Sequence, residues 1–358
     1  MNLTCLTRYD DLGASSRLRI GQYRLPLAHL APEVHWSRQS LLDAPYLRSK
    51  YAGRSTVRSA MRCYARRARE LASQHAPELW WVEKELWPYA PAWLERSLLA
   101  RHPYVLDLDD AVFHSYDTHR QGWIRWGWGR KIDRLMEGAA LVTAGNAYLA
   151  ERAVRAGARW VEIVPTVIDL DSYPPPASHG PSAGDAVDIV WIGSPATSAY
   201  VEMLAEPLRQ LAAGNRVRLV VIGIDAPHMP GVEVVAKTWS AETEAADIAS
   251  CEIGVMPLPD SPWERGKCGY KLIQYMACGL PAVASPVGVN CDIVQPGHNG
   301  LLAADGAQWL HSLQQLVVDA ELRRRFGRAG RALVERLYSV QVQAPRLAAM
   351  LQQAATAR

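Results

Sequence analysis

The chain has 358 residues, 49% of them hydrophobic, and 39 lysines and arginines against 36 aspartates and glutamates give it a net charge of +3. That length points to two domains, each apolar enough for a core of its own, and the composition excludes disordered, collagen-like and coiled-coil chains. The near balance of charge argues against a nucleic-acid partner, and no stretch reaches the roughly 20 uncharged apolar residues that cross a bilayer. Six scattered cysteines lack the paired spacing of a zinc site and read as reduced, mostly buried thiols. Met1 to Thr7 lacks the charged start and apolar middle of a signal peptide. It reads as a first buried strand, and the expectation is a cytoplasmic protein.

In chain order, the first half offers strands at Leu3–Thr7, Leu79–Val82, Tyr104–Leu108, Ala140–Ala144 and Val161–Val164. After the first of these, Gly13-Ala-Ser-Ser-Arg-Leu-Arg19 opens a helix and puts Ser15, Ser16 and Arg17 at its dipole-positive end. There Arg17 could close on a phosphate; an ordinary serine cap with surface arginines is the alternative. A basic helix follows around Thr56–Leu71. Val57, Met61, Tyr64, Ala68 and Leu71 form one apolar stripe that can pack on the first domain's sheet, and Arg58, Arg62, Arg66 and Arg69 form a second beside it that faces either water or a membrane. Anionic lipid is a partner such a face can take, joined by the tryptophans of Trp123–Trp128. Asp107-Leu-Asp-Asp110 ends the strand Tyr104–Leu108, and three carboxylates at a strand's C-terminal end are costly to bury unless they serve a ligand. His114 and His119 read as surface residues.

Residues 171–186, with three successive prolines and a Ser/Gly/Pro tail, read as a linker. Beyond it, strands are expected at Val187–Ile192, Arg218–Gly223, Val232–Val235, Ile253–Met256 and Ala282–Ala284. Strand runs this apolar, alternating with helix-length segments, predict an α/β chain of two Rossmann-like doubly wound domains with ligands at the strand ends and in a cleft between them. The expected divisions are 1–170, the linker 171–186, 187–335, and a C-terminal helix within 336–358 that packs back on the first domain.

The most informative stretch is Trp263-Glu-Arg-Gly-Lys-Cys-Gly-Tyr-Lys-Leu-Ile-Gln-Tyr-Met-Ala-Cys-Gly-Leu-Pro-Ala-Val-Ala284. A loop holding Gly266 and Gly269 leads into a helix from about Tyr270. Glycines let backbone N–H groups approach an anion, the helix start adds its dipole, and Lys267 and Lys271 add two cations, which together suit a diphosphate. Gln274 shares a helix face with Lys271. Upstream, Trp191-Ile-Gly-Ser194 is a second strand–glycine–helix turn, with Gly193 and the Ser194 amide at a helix start.

This stretch resembles the signature of glycosyltransferase family 4, the glycosyl transferases group 1, in which a segment E-G-F-G-x-x-x-x-E-A-M-A-x-G-x-P-V binds a sugar nucleotide. Gln274-Tyr-Met-Ala-Cys-Gly-Leu-Pro-Ala-Val-Ala284 matches its latter half. Val164-Pro-Thr-Val-Ile-Asp169 and Pro286 to Leu302 resemble two further motifs of the family, in order and at suitable spacing. The family's two glutamates fall on Gly266 and Gln274, so the chain reads as a divergent branch that lacks both.

The resemblance implies the GT-B fold and transfer of a sugar, with retention, from a nucleoside-diphosphate sugar to a saccharide, lipid-linked or other hydroxyl acceptor. The setting it implies is bacterial-type polysaccharide or glycoconjugate synthesis, in the cytoplasm or at the inner membrane face, without a cofactor or metal. It assigns Gly193, Ser194, Gly266, Lys267, Cys268, Gly269, Tyr270, Lys271 and Gln274 to the donor, together with Ser16 and Arg17. Asp109 or Asp110 then faces the acceptor, and Glu264 stands in for the missing first glutamate. An epimerase or hydrolase of the same fold and a non-catalytic nucleotide-sugar scaffold are the alternatives. A nicotinamide enzyme is disfavoured because Arg8-Tyr-Asp-Asp-Leu-Gly13 lacks G-x-G-x-x-G.

Overall fold

Runs of valine, leucine and isoleucine without polar alternation suit strands that are covered on both faces, and the chain uses them so. A computed structural model describes residues 1–73, 77–174 and 186–356. Among these, twelve strands form two six-stranded sheets, each paired in parallel throughout. The expected linker 171–186 lies outside the described residues from 175 to 185.

The first sheet contains β1 (Asn2–Tyr9), β2 (His35–Leu42), β3 (Leu79–Glu83), β4 (Tyr104–Leu108), β5 (Leu141–Ala144) and β6 (Val161–Ile163), in the order β2-β1-β3-β4-β5-β6. Register places Leu6, Val82, Leu106 and Val142 in one row on one face. Cys5, Trp81, Val105 and Leu141 form the next row on the other face. That second face is covered by Tyr23 and Leu27 and by helix Val340–Thr356, whose Val340, Ala344, Leu347, Leu351 and Ala354 recur at helical spacing. The division into units assigns Met1–Val167, the tripeptide Gly266–Cys268 and this C-terminal helix to the first, and Ile168–Arg265 with Gly269–Ser339 to the second.

The second sheet contains β7 (Val187–Ile192), β8 (Val217–Ile222), β9 (Glu233–Lys237), β10 (Ile253–Met256), β11 (Ala282–Ala284) and β12 (Gly300–Leu302), ordered β12-β11-β10-β7-β8-β9. Val190, Ile192, Val220 and Ile222 face Leu272, Ile273 and Met276 on one side. Ile189, Trp191, Leu219 and Val221 face Leu208, Trp309, Leu313 and Phe326 on the other. In each sheet the first strand has neighbours formed before and after the chain reverses direction, at β1/β3 and at β7/β10. Open α/β sheets take ligands outside the carboxyl ends of strands at such points.

The basic helix, Val57–Ser73, packs only part of the stripe expected of it. Tyr64 and Leu71 lie against the core, joined by the buried Cys63 and Arg67, while Val57 and Met61, assigned to the same stripe, stand 62% and 61% exposed. The helix rotates this way because Arg67 reaches two strand-end carbonyls, Thr7 and Gln39, each at 2.9 Å. Arg66 is likewise engaged, by Asp43 and by the Ser40 and Leu41 carbonyls.

Candidate functional site

In the first unit, the carboxyl ends of β1, β3, β4 and β5 gather a polar cluster. Asp107 is the anchor. It is buried, takes two hydrogen bonds from the Arg19 guanidinium at 3.0 and 2.7 Å, and accepts a third from Thr143 at 2.6 Å. Arg19 also donates to the Val164 carbonyl at 2.7 Å, so one residue of helix Ala14–Arg19 ties the end of β4 to the chain just past β6. Bidentate, charge-assisted contacts of this kind fix geometry as well as charge.

Just beyond β3, Lys84 adopts a left-handed backbone (φ 65°), unusual for a residue with a side chain and typical of functional turns. Its buried ammonium lies 2.8 Å from Asp109, 3.4 Å from Asp110 and 3.2 Å from the Ser15 hydroxyl. Burial by itself lifts the Asp109 carboxyl, but the charges of Lys84 and Arg19 outweigh it and hold the group below the usual carboxylate range. Asp110 goes the other way. Burial raises it and outweighs the opposing pull of Lys84, with the Asp109 charge adding to the rise and Lys267 opposing it. Two adjacent carboxylates are thus driven apart, the pattern expected where one holds charge and the other exchanges a proton. Asp110 is the more open of the two, its side chain 29% exposed.

Ser16 is engaged by the protein itself. It is buried, donates to Glu83 at 2.6 Å and accepts from the Tyr9 amide at 2.9 Å, so its hydroxyl is spent on the strand ends. Arg17 bonds the Asp11 carbonyl at 3.1 Å. His114 is not the surface residue expected: its ring bonds Asp117 at 2.7 Å and the Tyr148 hydroxyl at 2.8 Å. The tripeptide of the glycine loop is anchored in this unit. Gly266 packs on Ala111, Asn146 donates to the Lys267 carbonyl at 2.9 Å, and the buried Cys268 thiol donates to the Asp109 carbonyl at 3.0 Å. The Cys268 sulfur is thus packed and bonded within the first unit.

In the second unit, Gly269 takes the left-handed conformation (φ 66°, ψ 18°) and caps helix Tyr270–Ala277 at its start. A side chain there would be strained and would collide with Ile293, so glycine is required. The helix is held at the strand reversal by Tyr275. β7 and β10 pair only through Ile253 with Ile189 and Gly254 with Val190, and beyond that they part. The Tyr275 hydroxyl bridges the gap, accepting from the Ile192 amide and donating to the Val255 carbonyl, both at 3.2 Å. Lys271, one residue into the helix, lies over the Trp191 ring at 5.6 Å.

Gln274 is buried and donates to the Tyr173 hydroxyl at 3.1 Å, which in turn donates to Glu244; Trp239 donates to the same carboxylate. Glu264, expected to replace a missing glutamate, is also buried, and its two oxygens accept from Tyr200 and Ser261. It closes the turn ahead of the helix, with each carboxylate oxygen already accepting one hydrogen bond from the protein. Gly193 and Ser194 lead into a short 3-10 turn, Pro195–Thr197, and a five-residue helix, so the helix start there is weaker than the sequence suggests. Gly223, also left-handed, lies against it because any side chain would strike the Gly193 carbonyl.

Sequence reasoning missed Lys84, Arg19 and Tyr275. Each acts through a distant strand end, and nothing local marks it out.

Residues 186–319 match the family model described as glycosyl transferases group 1. No curated protein matches the chain in sequence. Among solved structures, sucrose-phosphate synthase from Thermosynechococcus elongatus is similar at a TM-score of 0.73 and 14% identity, over 99% of this chain and 98% of its own. WaaG, a glycosyltransferase involved in lipopolysaccharide biosynthesis, is similar at 0.69 and 13%, over 98% and 99%. Anabaena HepE, solved with UDP and glucose, is similar at 0.65 and 15%, over 99% and 100%. Residues 186–319 therefore form a domain of the glycosyl transferases group 1 family, in a chain whose two units have the GT-B fold.

Proposed function

We propose that this glycosyltransferase takes a nucleoside-diphosphate sugar as donor and moves the sugar, with retention and without a metal, to a hydroxyl of a saccharide, lipid-linked or related acceptor. Bacterial-type polysaccharide or glycoconjugate synthesis is the setting this reading favours. The observation that carries it is the helix Tyr270–Ala277 inside the matched family domain, started by a left-handed Gly269 and carrying Lys271 in its first turn. That arrangement brings the backbone N–H groups of a helix start, a favourable dipole and a cation together for the diphosphate, which must be neutralised as it leaves. Solved HepE structures hold UDP and UDP-glucose, and one of a TarM variant holds UDP, which supports the same class of donor.

On the acceptor side, the reading assigns Asp110 to orient the attacking hydroxyl. Asp109 stays ionised on Lys84 and sets the field around it. Gln274, steadied by Tyr173, keeps an amide oxygen for a donor hydroxyl. The occupied oxygens of Glu264 and the absence of glutamate at 266 and 274 favour keeping a second reading, a hydrolase, epimerase or non-catalytic scaffold. Incubation with UDP-, GDP-, ADP- and TDP-sugars, with and without glycoside acceptors, separates them. Acceptor-dependent release of nucleotide, with an NMR spectrum showing the donor's anomeric configuration in the product, is the expected result. Inverted product removes retention from the reading. Acceptor-independent turnover favours the hydrolase, and binding without turnover favours the scaffold.

A further inference from the structure

In the second unit a chain of hydrogen bonds runs from helix Tyr270–Ala277 to Glu244, at the start of helix Glu244–Ala249. The Gln274 amide nitrogen donates to the Tyr173 hydroxyl at 3.1 Å, and that hydroxyl donates to one oxygen of Glu244. The other Glu244 oxygen accepts from the Trp239 indole. Gln274 is 2% exposed and Tyr173 5%, so water competes little for the bond between them. Tyr173 is also held through its backbone. The Arg331 guanidinium donates to its carbonyl at 2.7 Å and to the Ala277 carbonyl, at the far end of the Gln274 helix, at 2.6 Å.

Chemistry dictates the direction of this chain. An ionised carboxylate only accepts, so Glu244 takes the one proton of the Tyr173 hydroxyl. Burial, with Tyr270 and Glu244 beside it, pushes the Tyr173 phenol up, so that proton stays. The phenol oxygen is left to accept, which turns the Gln274 amide nitrogen toward it and the amide oxygen away. Among the described residues, none donates to that amide oxygen. A glutamate at 274 would set a second carboxylate against a phenol oxygen with no proton left to give, close to the Glu244 charge. Glutamine is the residue that fits: it fills the phenol's lone pair and still presents an oxygen on its other side.

We propose that Glu244 and Tyr173 are positioning residues that lock the Gln274 amide, so that a neutral oxygen accepts from a hydroxyl of the sugar nucleotide while the negative charge sits two hydrogen bonds behind it, on Glu244. For its ligand the inference rests on the donor reading above; the lock itself is a property of the chain alone. One consequence runs against the family motif. Restoring glutamate at 274 harms the site, and removing the Glu244 charge repairs it. With both changes the bonds reverse: the phenol donates to the carboxylate at 274 and accepts from the amide at 244, whose oxygen keeps the Trp239 indole. Every donor in the chain again has an acceptor.

The test is a double-substitution cycle on the full-length protein, Gln274→Glu with Glu244→Gln. It is read by isothermal titration with whichever of UDP, GDP, ADP and TDP the wild type binds, and by thermal unfolding. Gln274→Glu should weaken nucleotide binding about tenfold and lower the unfolding midpoint by roughly 2–4 °C. Adding Glu244→Gln should return both to within about threefold and about 1 °C of wild type. Tyr173→Phe removes the lock without adding charge, and should weaken binding roughly fivefold with circular dichroism unchanged. If Gln274→Glu does not fold, recovery of folding in the double variant is the expected result. The inference is overturned if Gln274→Glu binds as well as wild type, if Glu244→Gln deepens its losses, or if Tyr173→Phe changes nothing. Binding of no nucleotide by the wild type overturns the donor reading instead, and the unfolding cycle then decides the lock by itself.

Discussion

At the residue scale, the first unit's polar cluster turns on Lys84, which favours the ionised form of Asp109 and faces Asp110 at the same time. Replacing it by methionine removes the charge but not the stem. Turnover should fall by on the order of a hundredfold while nucleotide affinity holds, because one charge-assisted contact is worth about 1.5–3 kcal/mol. Equal losses in both would move Lys84 to folding. The pH profile separates the two carboxylates. Asp110 is held above the usual carboxylate range, so it stays protonated where an ordinary aspartate has already ionised. If its ionised form orients the acceptor, activity should rise with pH through a limb displaced upward from about 4, and Asp110→Asn should erase that limb. Asp109, held low, contributes stability above its unfolded value that is lost only as pH falls through its lowered folded one. A second buried set is purely structural: the Lys131 ammonium lies 2.6 Å from Glu85 and 2.8 Å from Glu95, fully enclosed. Lys131→Met leaves Glu95 buried without its cation and Glu85 with Arg8 alone, and denaturant unfolding should report a loss of about 3–5 kcal/mol. A loss below about 1 kcal/mol would mean the carboxylates protonate freely and the ion pair matters little.

At the element scale, the helix Tyr270–Ala277 works only if it is held at the strand reversal, and Tyr275 holds it. Tyr275→Phe keeps the ring against Gly254 but leaves the Ile192 amide without its acceptor. Stability should drop by about 1–3 kcal/mol, measured by denaturant unfolding, and nucleotide affinity should weaken with it. An unchanged midpoint would show that β7 and β10 close the gap by themselves. The strands at this reversal were legible in the sequence because Val187–Ile192 and Ile253–Met256 are continuous apolar runs. β2 was not: His-Trp-Ser-Arg-Gln-Ser-Leu-Leu is an edge strand, half polar, and its only neighbour among the described residues is β1. β12 is three residues long and reads as part of a loop motif. The basic helix was legible as a helix but not in its rotation, since two carbonyls from distant strands decide that Arg67 goes inward. Such choices depend on partners tens of residues away, which periodicity cannot reveal.

At the scale of the whole molecule, alternating apolar runs and helix-length segments were enough to anticipate two doubly wound sheets, and the motif at 263–284 was enough to anticipate the family. The donor residues were read less evenly. Gly269 and Lys271 sit where the motif puts them, whereas Ser16, Cys268 and Glu264 have their polar atoms occupied by the protein itself. A motif reports spacing along the chain, and occupancy is settled by neighbours it does not contain. The account's central claim is that the start of helix Tyr270–Ala277 binds the diphosphate of a sugar nucleotide. Isothermal titration of the full-length protein with UDP, GDP, ADP and TDP tests it most directly, run in parallel on Lys271→Ala. One nucleoside diphosphate should bind with unit stoichiometry, and the substitution should weaken it by about 1.5–3 kcal/mol, on the order of 10- to 100-fold. Binding of none of the four, or equal affinity in the variant, would contradict the claim.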